Sequence, residues 1–316
     1  MRRQSPQTWG RESLACLPNN HRFLIGVSAG RDSVALLHWL LDRGYRRLVV
    51  CHFEHGLRGR ASKADAHFVR RLALHHGLSF ELGAGEIRPL AKKRKQSLET
   101  VAREERLKFF TRVARRRRCS AIFLAHQADD QVETFLLNLF RGAGGRGLGA
   151  MRPQSTIGSL TVLRPFLGVW RAEIDAYIQK YNLKFREDAS NAELTARRNR
   201  VRHKIIPWLE KQFGRSLRGT IWRAATILAE EEDFLASLMP TSLTTNEKMP
   251  VEELRKLTPS LQRRAILAWL RNHGVSEAGF EVIERARGLL AFDEPARMNL
   301  ARDRHLRRRG GQMFLE

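Results

Sequence analysis

Short apolar runs alternate with amphipathic stretches through the N-terminal part of the chain, and no other feature limits the fold so tightly. Residues 23–27, 48–53, 78–82, 121–125 and 162–166 read as strands. Strands apolar on both faces must be covered on both faces, which calls for a parallel sheet between two helical layers. The stretches between them read as helices. One spans 32–42 and stops at Gly44; another spans 63–76, with Ser62 as its N-cap and Gly77 beyond its end. A long basic helix runs from a cap at Ser97 to about residue 117, and further helices cover 129–140 and 171–181. The expected fold is α/β, a Rossmann-like parallel sheet with helices on both faces. Beyond residue 208 helical patterns such as 217–238 and 251–273 dominate. The expectation is a first domain over 1–207 and a small, mainly helical, basic domain over 208–316.

In such sheets ligands collect at the carboxyl ends of the strands. Each polar cluster of interest follows a strand. Ser28-Ala-Gly-Arg-Asp-Ser33 lies between the first strand and its helix. Free backbone N–H groups and the positive end of the helix dipole make that turn a seat for phosphate. It has no Gly-Lys-Ser/Thr, so it is not the ordinary mononucleotide loop. An acidic residue, Asp32, beside an anion seat calls for a cation between them. A nucleotide pyrophosphate with magnesium satisfies both.

His126-Gln-Ala-Asp-Asp-Gln-Val-Glu133 opens a helix. Asp129 and Glu133 are four apart and Asp130 and Glu133 three apart, so the carboxylates lie on adjoining faces. Acidic residues in a first turn also suit the dipole, but that accounts for one carboxylate, not three and a histidine in a basic chain. Metal binding and amine recognition fit better, with His126 bonding phosphate or moving a proton. His52 and His55 lack further ligands for zinc; Gly56 permits a turn, and Arg58 is expected to face phosphate or cap the site. Arg103 and Arg106 share a helix face, by default a solvated ion-pair face. Residues 92–95 and 115–118 read as contacts to a phosphate backbone. Asp188, Ser190 and Asn191 suggest a turn, followed by dense arginines over 197–202. The Gly-rich run 141–149 is either a mobile loop that closes over a ligand or a surface linker.

The 316 residues carry 57 Lys and Arg against 33 Asp and Glu, a net charge of +24. A field that strong, and clustered, attracts nucleic acid. No apolar run is long enough to span a bilayer, which argues against a membrane partner. Cys16, Cys51 and Cys119 are isolated, with no Cys-x-x-Cys, as suits a reducing cytoplasm.

Taken in order, these motifs resemble those of the tRNA(Ile)-lysidine synthases, a family of the PP-loop ATP pyrophosphatase superfamily. Ser28–Ser33 resembles its Ser-Gly-Gly-x-Asp-Ser loop, and His52 to Arg58 its His-x-Asn/Asp-His-Gly-Leu-Arg. Glu99 to Arg103 resembles its Glu-x-x-Ala-Arg, and His126 to Thr134 its His-His-x-Asp-Asp-Gln-x-Glu-Thr. Arg164-Pro165, Glu187-Asp188 through Asn191, and Arg198-Asn-Arg200 match further on. Three positions depart from the pattern. Ala29 replaces the first loop glycine, as a negative φ would allow; Gln127 replaces the second histidine; Glu54 replaces Asn or Asp. The chain resembles the shorter form of the family, with one helical domain after the catalytic one.

The resemblance implies ATP bound by Ser28, Ala29, Gly30, Arg31, Asp32 and Ser33, with magnesium at Asp32 and Asp129. It implies catalytic roles for Asp32, His126, Asp129 and Asp130, and lysine held by Asp130 and Glu133. Arg58, Arg103, Arg198, Arg200 and Arg202 would meet tRNA or phosphate. The implied substrate is tRNA(Ile) with a CAU anticodon. Its wobble cytidine is adenylated through the C2 oxygen with loss of diphosphate; free L-lysine then displaces AMP to give lysidine. A homodimer is compatible with this reading. The alternatives are a related PP-loop tRNA thiolation enzyme, which needs catalytic cysteines, and an RNA-binding protein with a degenerate nucleotide site.

Overall fold

The computed structural model describes residues 6, 8–10, 14, 17–56, 59–186, 197–275, 278–291, 296–301 and 303–316. Two compact units divide the chain, residues 1–229 and 230–316. The sequence pattern changes at 208, but the first unit also holds the helices that follow that point.

The first unit is built on a six-stranded sheet of order β3-β2-β1-β4-β6-β5. Its elements run β1 (Phe23–Gly26), α1 (Arg31–Asp42), β2 (Leu48–Glu54), α2 (Arg60–His75), β3 (Ser79–Ala84), α3 (Ile87–Arg94), α4 (Leu98–Arg117) and β4 (Ala121–Phe123). There follow α5 (Ala128–Leu139), α6 (Gly145–Leu148), β5 (Gln154–Ile157), β6 (Leu160–Leu163) and α7 (Arg171–Lys180). Next are α8 (Arg197–Arg200), a π-helical turn over Val201–Ile205, α9 (Ile206–Phe213) and α10 (Arg218–Ser237), inside which the units divide. β1, in the middle, is parallel to β2 and to β4, with Ile25 opposite Val50 and Phe123. Side chains alternate along it. Phe23 and Ile25 join one core with Trp39, Phe123 and Phe166, while Leu24 joins the other with Phe110, Val113 and Ile122. Double-sided burial of this kind made the parallel sheet legible.

Ser97 caps α4 by accepting a hydrogen bond from the Thr100 amide at 3.2 Å. Ser62 does not cap α2. That helix starts at Arg60 behind Gly59, whose φ of +51° breaks the chain direction three residues earlier. β5 and β6 form an antiparallel hairpin at the sheet edge. Gln-Ser-Thr-Ile is too polar to announce a strand, as an edge position permits. The Gly-rich run is tied down rather than loose. Asn138 donates to the Gly147 carbonyl at 2.7 Å, and Gln131 donates to those of Gly149 and Met151.

The second unit contains α11 (Ser242–Thr245), β7 (Met249–Pro250), α12 (Val251–Arg255), α13 (Pro259–Asn272), α14 (Phe280–Gly288), β8 (Arg297–Asn299), β9 (His305–Arg309) and β10 (Gln312–Leu315). Helices dominate it, but its basic tail is not helical. It forms an antiparallel sheet of order β7-β10-β9-β8. Met249, Met298, Leu306 and Met313 enter the core around Trp269 and Ile266, and Leu315 packs against it. Strands of two to five residues, β9 ending in three arginines, carry too little apolar pattern to read. No described helix is long and apolar enough to cross a membrane.

Candidate active site

β1 leaves the sheet into the turn of residues 28–33, whose shape is set by its serines. Ser33 Oγ donates to the Gly30 carbonyl at 2.8 Å and accepts from the Ser28 amide at 3.1 Å. Gly30 stands at the N-cap of α1 with no side chain capping the helix, so the first-turn amides face outward for an anion. Ala29 does not take the negative φ expected of it. Its φ is +72°, and it is buried while its carbonyl accepts from the Arg186 amide at 3.1 Å. The turn reverses direction there, so a side chain occupies a glycine conformation at a cost of about 1 kcal/mol. Arg31 is held sideways by Asp175 at 2.6 Å and lies over the Phe185 ring.

Asp32 faces the site with one oxygen engaged and one orphaned. Oδ2 accepts from Arg171 at 3.2 Å; Oδ1 is sealed from solvent with no partner. Burial pushes its carboxyl up to about 6, and the neighbouring charge of Asp130 adds to the rise against the pull of Arg171. An orphaned acidic oxygen beside open helix amides fits a cation bridging to a bound anion.

The second cluster hangs on α5. Gln127, the departure from the family's histidine, serves as a helix cap. Its Oε1 accepts from the Asp129 amide at 2.8 Å, and its own amide donates to Asp130 Oδ2 at 3.0 Å. The helix then presents its carboxylates to arginines from later in the chain. Arg218 meets Asp129 at 2.6 Å, and the Arg171 amide donates to the same carboxylate at 3.2 Å. Arg171 thereby links Asp129 to Asp32. Arg202 reaches both Asp130, at 3.2 Å, and Glu133, at 2.5 Å; Arg198 takes the other Glu133 oxygen at 2.9 Å. Glu133 is 1% exposed. Burial raises its carboxyl, opposed by Arg202.

Beside these pairs lie His126 and the guanidiniums of Arg106 and Arg164, with no ion-paired carboxylate among the described residues. His126 Nδ1 is sealed without a partner. Burial and the charges of Arg164, Arg106, Arg198 and Arg103 drive its pKa well below the usual imidazole value, so it is neutral. Arg106 is not part of a solvated ion-pair face. Its Nε is sealed and unpartnered, and burial brings its pKa down to about 10. Glu104 and Glu105, its neighbours on α4, pair instead with Arg94. Arg103, one turn back, is exposed. Arg164 is held by the Arg152 carbonyl and Ser155 Oγ, both at 2.9 Å, while its Nε is also orphaned. Arg164 is buried and Arg106 half-buried, and shielding guanidinium without counter-charge is costly, a cost that a bound anion removes.

His52 does not reach this cluster; its Nδ1 lies 2.8 Å from the Val27 carbonyl. Arg200 is exposed. Arg58, Glu187, Asp188, Ser190 and Asn191 lie outside the described residues. Sequence spacing pointed to the loop and to the acids of α5, and missed Arg171 and Arg218. Each lies at the first residue of a helix, with no motif around it, and only the fold carries it to Asp32 and Asp129.

The parallel sheet, the Ser28–Ser33 loop and the acidic helix define a PP-loop domain of the ATP-using kind, and residues 7–209 match the model of that domain. Residues 249–314 match the TilS substrate binding domain. A tRNA(Ile)-lysidine synthase of Geobacter sulfurreducens is 38% identical over 253 residues, 77% of this chain. The match spans about half of that relative, 53% of its length. The tRNA(Ile)-lysidine synthase of Thermosynechococcus vestitus is 34% identical over 284 residues, covering 87% of this chain and 80% of its own. The chain belongs to the tRNA(Ile)-lysidine synthase family. Among solved structures, the U34-tRNA thiolase NcsA from Methanococcus maripaludis has the same fold. Its TM-score is 0.55 at 17% identity, over 73% of this chain and 78% of its own.

Proposed function

We propose that the protein joins free L-lysine to C2 of the wobble cytidine of tRNA(Ile) with a CAU anticodon, consuming ATP and releasing AMP and diphosphate. One observation carries this reading: Arg164 and half-buried Arg106, each with a shielded, unpartnered Nε, flank neutral His126 at the start of the helix that carries the carboxylates of Asp129, Asp130 and Glu133. The guanidiniums suit a phosphate and the carboxylates an ammonium, the two charges the reaction brings together. The nucleotide's terminal phosphates would rest on Ser28, Ala29, Gly30, Arg31 and Ser33. Magnesium, held by Asp32 and Asp129, would neutralise the departing diphosphate.

The lysine ammonium would take over from guanidinium at Asp130 and Glu133, an exchange of one cation for another that leaves no buried carboxylate unpaired. Neutral His126 is suited to hydrogen-bond the phosphate or accept a proton from the attacking amine. Arg58, Arg103 and Arg200 would meet tRNA phosphates, joined by Arg198 and Arg202 once lysine releases them. A cytoplasmic homodimer belongs to the same reading, and light scattering of the purified protein tests the dimer. A sulfur-transfer reaction is poorly supported. Cys51 and Cys119 are buried, and burial pushes both thiols up, away from the reactive thiolate.

The test is incubation with a tRNA(Ile) transcript, ATP and labelled lysine. Label entering the tRNA with stoichiometric AMP is expected. Turnover only with a sulfur donor, or RNA binding without ATP use, contradicts the proposal.

A further inference from the structure

We infer that the amino-terminal rim of the parallel sheet, remote from the nucleotide loop, is a second RNA contact that grips a phosphodiester backbone. Three adjacent strands, β2, β1 and β4, run parallel, so the residues entering them lie side by side. Each is preceded by arginine: Arg47 before Leu48, Arg22 before Phe23, and Arg118 three residues before Ala121. With His21, Arg117 and Ser120 they line a cavity of about 340 Å³.

The rim is built to leave charge unspent. Arg22 donates only to the Arg117 carbonyl, at 3.4 Å, and Arg47 to the Asn20 carbonyl, at 3.2 Å. Arg118 ends α4 in the left-handed conformation, with φ +54°. Among the described residues no carboxylate lies within ion-pair distance of Arg22, Arg47 or Arg118, and none lines the cavity. Arg117 is the exception, being bound to Glu81 at 2.6 Å. Guanidiniums gathered without counter-charge attract an anion, and planar forks suit phosphate oxygens.

Exposure decides what kind of anion. Arg22, Arg47 and Arg118 are exposed and hydrated, so a single small phosphate gains little there. A polyanion gains by releasing condensed counterions at each contact. The rim also continues along the outer face of α4, where Arg112 and Arg115 are exposed and line a second groove with Lys108. A row of cations along a helix leading into a basic cavity fits a strand of RNA better than an isolated ion. The length of β1 separates this rim from Ser28–Ser33 by roughly 15 Å at the rise of a strand. The contact therefore serves affinity, not chemistry.

The experiment compares full-length protein with the double variant Arg22→Gln/Arg47→Gln, titrating labelled tRNA transcript by fluorescence anisotropy over a range of salt. Loss of two phosphate contacts should weaken binding about tenfold at 0.1 M salt and lower the log–log salt slope by about 2. Arg22→Lys/Arg47→Lys should restore most of the slope, and kcat and KM for ATP should not move. Unchanged tRNA affinity and slope in a variant with wild-type melting overturns the inference. So does loss of inorganic diphosphate binding while tRNA binding is unaltered, which would make the rim a small-anion site. Because binding is read directly, the result stands apart from whether lysine is incorporated.

Discussion

At the carboxyl rim of the sheet Asp32, Asp129, Asp130 and Glu133 all meet arginine; at the amino rim three arginines meet no described carboxylate. The same residue type does opposite work at the two ends. At the carboxyl rim Arg171, Arg198, Arg202 and Arg218 are counter-ions to buried and half-buried acids, while Arg106 and Arg164 are shielded without a described carboxylate; under the proposed function a ligand would exchange with the paired ones. At the amino rim they are left in water with their charge available. Net charge alone, +24, does not distinguish the two. Pairing and burial do, and so the two rims should respond differently to the loss of one side chain.

The largest expected difference lies in turnover. Asp32→Asn should lower ATP-dependent adenylation on the order of a thousandfold and leave tRNA affinity within about twofold. Quenched-flow release of diphosphate and anisotropy measure the two; equal losses would contradict the role given to Asp32. Stability comes next. Glu133→Ala strands Arg198 and Arg202 beside a cavity and should cost about 2–4 kcal/mol, with Glu133→Gln costing less. Arg22→Gln/Arg47→Gln should stay within about 0.5 kcal/mol of wild type. Denaturant titration decides, and a rim variant as destabilised as Glu133→Ala would erase the contrast.

The pH dependence of Asp32 sharpens it further. Its folded pKa, about 6, lies above the unfolded value of 3.8. The stability linked to this group is therefore full below about pH 4 and is lost as pH rises through 6. Ligand-free Asp32→Asn should be more stable than wild type at pH 8, by about 1–2 kcal/mol given its partial exposure, and the gain should vanish near pH 4. Parallel melting curves across that range would break the assignment. The smallest effect belongs to Ala29→Gly. Relief at φ +72° should outweigh the added freedom of the unfolded chain by about 0.5 kcal/mol. A lower melting temperature would mean that the methyl group, buried in the core, contributes more than the strain costs.

What the sequence made legible follows the same division. The central strands were readable because both faces are buried, and the acids of α5 because they crowd one helix start after a strand. The loop was readable as a turn from strand to helix N-terminus, though not the conformation of Ala29, since φ depends on how the turn closes against Arg186. Arg171 and Arg218 were not readable at all. Their partners are 139 and 89 residues away, and no local pattern encodes a pairing at that distance. Arg106 was misread for the complementary reason: its acidic neighbours looked like its partners, but Arg94 takes them. The β8–β10 sheet escaped notice because its cross-strand hydrogen bonds need no apolar run.

The most direct measurement separates the two halves of the proposed site. Wild type and Asp130→Asn are given ATP and tRNA(Ile) transcript, and diphosphate and AMP are followed with and without lysine. The account predicts that Asp130→Asn still releases diphosphate on adenylation but loses the lysine-dependent release of AMP. Loss of both in equal measure would contradict it, because the acids of α5 would then serve the nucleotide and not the amine.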